Sequence, residues 1–158
     1  YRNYNGPKTG DKDCMPQEFT NTLFADSTHK WDFSRWQPQV VCINLGTNDL
    51  STNNYDARLY ENAYRNFIHT VRNVYPKAKI VLLSGPMLGE KENNIEKSIL
   101  DKLQKEFRKK GDKQIYRFDF TPQDGSLGYG ASWHPSYLQQ QKMASELTPF
   151  IRQITGWE

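Results

Sequence analysis

The sequence predicts an α/β fold built on a parallel sheet. Two apolar runs, residues 40–45 and 80–83, are continuous rather than alternating, as strands covered on both faces are. A third run spans 115–120. Stretches of helical periodicity separate the three, and such alternation is the mark of parallel strands joined by helical crossovers.

Residues 1–38 are polar and carry no clear strand. The first strand is "VVCINL". A helix follows, with Tyr60, Ala63, Tyr64, Phe67, Ile68, Val71 and Val74 recurring at three- and four-residue steps. After the second strand, Ile95, Ile99, Leu103 and Phe107 repeat in the same way, and Gly111 stands where a helix would end. The third strand leads through a Gly-rich loop to a last helix over 136–154. Ser136 and Gln139 have capping-box spacing, and Leu147, Phe150, Ile151 and Ile154 form the apolar stripe.

A length of 158 residues suits one domain with one core. Net charge is +3 with 25% charged residues, so no basic stripe argues for nucleic acid. No apolar run approaches the length of a membrane span. The chain starts at Tyr1 without a leader pattern, so a processed or internal piece is expected and no location is excluded. Cys14 lies in a polar loop and Cys42 inside a strand read as buried; two thiols set no disulfide framework. Neither cysteine has a metal-ligand spacing, and His29, His69 and His134 are scattered, so no metal and no cofactor is expected. Aromatic residues make up 13% of the chain, a content compatible with a carbohydrate ligand.

In an open α/β sheet, ligands bind beyond the carboxyl ends of the strands. Those ends read "LGTND", "LSGPML" and "DFTPQDG". Gly46 lets the backbone turn, and Asn48 then presents a neutral amide donor suited to a developing oxyanion; the alternative is a plain Asx turn. In "WHPS", His134 is a candidate general base; the alternative is a packed residue ahead of the last helix. The two segments lie far apart in sequence, yet this topology brings them to one sheet edge.

"GTND" followed near the C-terminus by "HPS" resembles the third and fifth blocks of the SGNH (GDSL-like) hydrolases. "YRNYN" at the start, "SGPM" at 84–87 and "WHPS" at 133–136 are similar to the carbohydrate esterase family 2 branch, whose members remove acetyl groups from plant polysaccharides. The resemblance implies a flavodoxin-like, three-layer α/β/α fold, incomplete in this chain. It implies His134 as general base, Asn48 as oxyanion donor, and Gly46 and Asp49 as structural members of their block. Trp133 and Met87 become candidates for the substrate site, and Arg2 and Tyr4 for residues that reach it. The implied partner is an acetylated polysaccharide or oligosaccharide, and the implied location is extracellular.

The family's nucleophile sits in a Gly-Asp-Ser motif after the first strand, and this sequence has neither that motif nor a G-x-S-x-G elbow. Residues 1–158 are therefore expected to be the C-terminal portion of an esterase domain. The serine, the first strands and a β-sandwich domain would lie upstream, and the upstream half would be a partner of this one. Its loss would leave residues 40–45 as an exposed apolar edge and the isolated chain poorly stable. The Asp that many SGNH enzymes place three residues before the His is Ala131 here. Either a backbone carbonyl orients His134, giving a Ser–His dyad, or Asp124 folds back as a third member; a ten-residue Gly-rich excursion aims a carboxylate loosely and favours the dyad. Two other functions stay open: a non-catalytic carbohydrate-binding fragment, and an SGNH enzyme acting on a lipid or another ester.

Overall fold

The computed structural model describes residues 1–2, 10, 13–52 and 54–158. Its centre is a three-stranded parallel sheet of β3 (Val40–Ile43), β4 (Lys79–Ser84) and β5 (Ile115–Asp119), in the order β3-β4-β5. Residues 81 and 83 of β4 face one side and residues 80 and 82 the other, and both sets are fully or almost fully buried. The continuous apolar run thus marks a strand covered on both faces.

Helices α3 (Ala57–Val74) and α4 (Glu90–Lys109) cover one face. Tyr64, Phe67, Ile68 and Val71 of α3 and Ile99, Leu100, Leu103 and Phe107 of α4 pack with Ile43, Ile80, Leu82 and Ile115. Helix α5 (Tyr137–Thr155) covers the other face, where Met143, Leu147, Phe150, Ile151 and Ile154 meet Val81, Leu83 and Phe120. The result is the three-layer arrangement expected. Each fully buried Leu or Ile contributes roughly 1.5–3 kcal/mol, so Ile68, Leu100 and Leu103 of α3 and α4 contribute more to stability than the half-buried stripe of α5. The ends follow local chemistry. The Asp56 side chain accepts from the Arg58 and Leu59 N–H groups, and Ser136 Oγ accepts from Gln139 N. Gly111, at φ +102°, closes α4 while Asp112 N reaches Phe107 O.

Two expectations are corrected. Residues 13–38 contain a short helix α1 (Met15–Glu18) and an antiparallel hairpin of β1 (Asn21–Leu23) and β2 (Asp26–Lys30). These strands bury no apolar face, so they leave no alternation to read in the sequence. Cys42 is exposed rather than buried. Among the described residues β3 pairs only with β4, and the helix that covers the Cys42 side of the sheet packs over β4 and β5 instead. Cys14 is buried, with its thiol donating to Gln17 Oε1 at 2.6 Å.

The N-terminal segment is fastened to α3 by rings. Phe19 meets Phe67 edge-on at 5.2 Å and Phe33 at 5.3 Å, and Phe33 meets Tyr75 at 5.4 Å. Each such pair adds about 1 kcal/mol beyond its buried area. These contacts fix where the β1–β2 hairpin stands.

Candidate active site

The loops after β3 and β4 and the approach to α5 open onto one cavity of about 640 Å³, a size that suits a small organic group or a sugar unit. Asn48, Met87 and His134 all line it. So do Gly46, Asp49, Arg2 and Phe24. Trp133 does not: it stands 71% exposed outside the cavity, edge-on to Tyr129 at 5.1 Å. Tyr4 lies outside the described residues.

Gly46 carries the turn after β3. Its φ is +146°, a value that side chains with a Cβ rarely adopt. The backbone then enters the short helix α2 (Thr47–Leu50), leaving the Asn48 side chain exposed to the cavity and Asp49 buried. Asp49 Oδ1 takes the backbone nitrogens of Tyr1 and Arg2, the latter at 3.2 Å. Asp49 is therefore a fastening for the segment that precedes the block.

His134 follows two residues held in left-handed conformations, Ser132 at φ 51° and Trp133 at φ 65°. Such backbone costs roughly 1–3 kcal/mol per residue and persists only where its surroundings fix it. Here Gly130 N donates to His134 O at 2.7 Å, and Gln123 Nε2 donates to Trp133 O at 2.7 Å. Ala131 O accepts from His134 N at 3.1 Å and lies 2.9 Å from His134 Nδ1. A carbonyl oxygen only accepts, so the proton of the neutral ring sits on Nδ1 and Nε2 is left with its lone pair free. Asp124 is turned elsewhere: its carboxylate accepts from Ser126 N at 2.9 Å and Ser126 Oγ at 2.6 Å, which hold it below the usual carboxylate range.

Three contributors were not foreseen. Glu96 of α4 is 1% exposed and lies directly under Gly46. Burial pushes its carboxyl up to about 8, against the hydrogen bond from Tyr60 and aided by the nearby Asp49. Tyr60 Oη bridges Glu96 Oε1 at 3.3 Å and Leu45 O at 2.9 Å. A signal was present: Glu96 occupies the stripe that continues through Leu100, Leu103 and Phe107, where a carboxylate is out of place. The third is Phe24 at the hairpin tip, 75% exposed yet part of the cavity wall. Glu18 Oε2 accepts from Ala25 N at 2.8 Å and Asn21 Nδ2 at 3.2 Å, and Ala25 is held at φ 55°.

Among the described residues, no group of three or more His, Cys, Asp or Glu side chains could hold a metal ion. None of the described helices is long and apolar enough to cross a membrane. No serine lines the cavity among the described residues.

Residues 17–142 match the model of the GDSL-like Lipase/Acylhydrolase family. The chain is 44% identical over 128 residues to the cellulase/esterase CelE of Acetivibrio thermocellus, covering 81% of this chain and 16% of that protein. It is 33% identical over 159 residues to an acetylxylan esterase / glucomannan deacetylase of Cellvibrio japonicus, covering 99% of this chain and 42% of that one. A solved structure of a family two carbohydrate esterase from Clostridium thermocellum in complex with cellohexaose superposes with a TM-score of 0.85 at 39% identity, over 99% of this chain and 47% of that one. The chain thus spans less than half the length of these relatives, and its layered sheet is the SGNH hydrolase fold of the carbohydrate esterases among them. The match of the family model over most of its length means that this chain belongs to the GDSL-like lipase/acylhydrolase family.

Proposed function

We propose that this chain is the histidine-bearing half of a secreted carbohydrate O-acetylesterase. The observation that carries the reading is the meeting of His134 and Asn48 in one cavity, with His134 Nδ1 held by Ala131 O and Nε2 free. A serine from an upstream segment attacks the acetyl carbonyl while His134 Nε2 takes its proton. The carbonyl oxygen gains negative charge, and the Asn48 amide donates to it. Collapse expels the sugar hydroxyl, which receives the proton back from His134. Water then attacks the acyl-enzyme with the same base, releasing acetate and restoring the serine. A Ser–His dyad suffices because a backbone carbonyl does the orienting that a carboxylate does elsewhere.

The edge of β3, unpaired among the described residues, supports an upstream half that pairs beside it, and the family two relative in complex with cellohexaose supports a glycan as the carrier of the acetyl group. Met87 would pack against the acyl group, and the exposed Trp133–Tyr129 pair offers a sugar-stacking face outside the pocket.

The test is hydrolysis of 4-nitrophenyl acetate by this chain, by a version extended upstream to the expected Gly-Asp-Ser, and by His134→Ala and Asn48→Ala variants of the longer form. Activity should require the extension. His134→Ala should lower it by about 10³-fold or more and Asn48→Ala by roughly 10²–10³-fold. Equal His134-dependent activity in the short chain would place the nucleophile inside these 158 residues and end the two-half reading. An extended protein that binds cello-oligosaccharides but never cleaves an ester would instead be a binding module.

A further inference from the structure

Beneath the Gly46–Asn48 turn lies a polar chain that the esterase reading does not use. Glu96 Oε1 is 3.3 Å from Tyr60 Oη, and Tyr60 Oη is 2.9 Å from Leu45 O, the carbonyl just before Gly46. Tyr60 and Glu96 are both 1% exposed, and Glu96 Oε2 has no partner among the described residues. Proton counting decides the state of this chain. The phenol has one proton, and Leu45 O can only accept. If Glu96 were ionised, two acceptors would compete for that proton, and a bare buried charge would remain. If Glu96 is a carboxylic acid, it donates to Tyr60 Oη, and Tyr60 donates to Leu45 O; both contacts are then satisfied.

We propose that Glu96, as a carboxylic acid acting through Tyr60 and Leu45, is a positioning residue that holds the Gly46–Asn48 turn and so aims the Asn48 amide into the cavity. The close packing of Glu96 against Gly46 supplies the lever. A Cβ on Gly46 would stand 2.0 Å from Glu96 Oε1, so the carboxyl group fills the space against the turn, and its loss from that place would leave the turn without support on that side. The groups that face Glu96 are Tyr60 and Tyr64 of α3, Asp49 of α2, and Arg117 and Asp119 of β5. Burial disfavours its ionisation most, and Asp49 and Asp119 add to that; the Tyr60 hydroxyl and Arg117 favour it, but by less. The device is therefore intact in neutral solution and fails as Glu96 ionises around pH 8.

The activity readout rests on the esterase reading, so the experiment includes one that does not. In the intact protein, the pH dependence of kcat on 4-nitrophenyl acetate is measured for wild type, Glu96→Gln and Tyr60→Phe, with the Asn48 side-chain amide followed by nitrogen-15 NMR over the same range. Wild type should lose kcat, with KM steady, as pH rises through about 8. Glu96→Gln keeps a neutral donor of the same shape; it should stay within roughly threefold of wild type at neutral pH and lack that limb. Tyr60→Phe should lower kcat about tenfold or more at neutral pH, with KM little changed, and approach wild type above about pH 8. The Asn48 amide signal should shift with pH in wild type and stay fixed in Glu96→Gln. An unchanged alkaline limb in Glu96→Gln, full kcat in Tyr60→Phe at neutral pH, or an Asn48 signal that ignores pH in wild type would each overturn the proposal. Should no variant hydrolyse the ester, the esterase reading fails, and the Asn48 signal still decides for or against Glu96.

Discussion

Gly46 and Glu96 fill one space between them: a Cβ added to Gly46 would lie 2.0 Å from Glu96 Oε1 and 2.6 Å from Tyr60 Oη. The turn after β3 therefore rests on buried side chains of two different helices, α3 and α4. The Gly46 backbone itself sits at φ +146°, closed to other residues on its own account. Gly46→Ala must then either flip the turn or displace Glu96. We expect a loss of about 2 kcal/mol or more of stability, together with loss of activity in the intact protein. Urea unfolding checks the first, and a fully stable Gly46→Ala would mean that the turn is far softer than its packing implies.

The orientation of His134 gives a second expectation. Its Nδ1 is 2.9 Å from Ala131 O, while the nearest sequence candidate for a third triad member, Asp124, is bonded to Ser126. Asp124→Asn should change kcat by less than about twofold, since oxyanion stabilisation and the base are both untouched. In a true triad, the same replacement costs orders of magnitude by presenting the wrong partner to the ring. A drop of that size in the intact protein would show that Asp124 swings onto His134 during turnover.

The sequence announced this architecture wherever burial is local. Strand β4 and helices α3, α4 and α5 were legible because their apolar residues recur with the period of the element that buries them. That Asn48, Met87 and His134 would come to one place was legible because strand ends and helix starts converge in an α/β sheet. The hairpin was not, since Asp26–Lys30 and Asn21–Leu23 turn no apolar face inward. Its place depends on rings from distant segments, Phe19 and Phe33 against Phe67 and Tyr75, which no local pattern encodes. Cys42 misled for a related reason. An apolar run says that a strand is sticky, not that a neighbour is present to cover it. Glu96 was concealed by the habit of reading any carboxylate as the solvent face of a helix, although its spacing from Leu100 and Leu103 set it inside.

Phe24 shows what the hairpin contributes. An apolar ring that is 75% exposed gains nothing from the fold, yet the turn holding it is tied down by Glu18 and carries Ala25 at φ 55°. The ring forms part of the cavity wall shared with His134 and Met87. A sugar ring entering that cavity would find an aromatic face to stack on. Phe24→Ala should raise KM for an acetylated oligosaccharide by roughly tenfold, the equivalent of about 1.4 kcal/mol, and leave KM for 4-nitrophenyl acetate nearly unchanged. Comparison of the two substrates separates a sugar contact from a general defect. Equal effects on both would assign Phe24 to the shape of the pocket rather than to the glycan.

Glu96 also ties stability to pH, in a direction opposite to that of an ordinary salt-bridged carboxylate. Its carboxyl titrates at about 8 in the folded chain against an ordinary value of 4.5. Between those values the folded chain keeps a proton that the unfolded chain has released. Stability therefore falls as pH rises across that window, by up to roughly 1.4 kcal/mol per pH unit from this group. Below the window both states are protonated, and above it both are ionised, so the contribution is flat on either side. Glu96→Gln removes the titration while keeping the volume and a hydrogen-bond donor. Urea unfolding at a series of pH values should show the variant gaining on wild type steadily through the window and then holding its advantage. A difference independent of pH would mean that Glu96 carries its charge in the fold, and Tyr60 would then have to abandon Leu45 O to serve it.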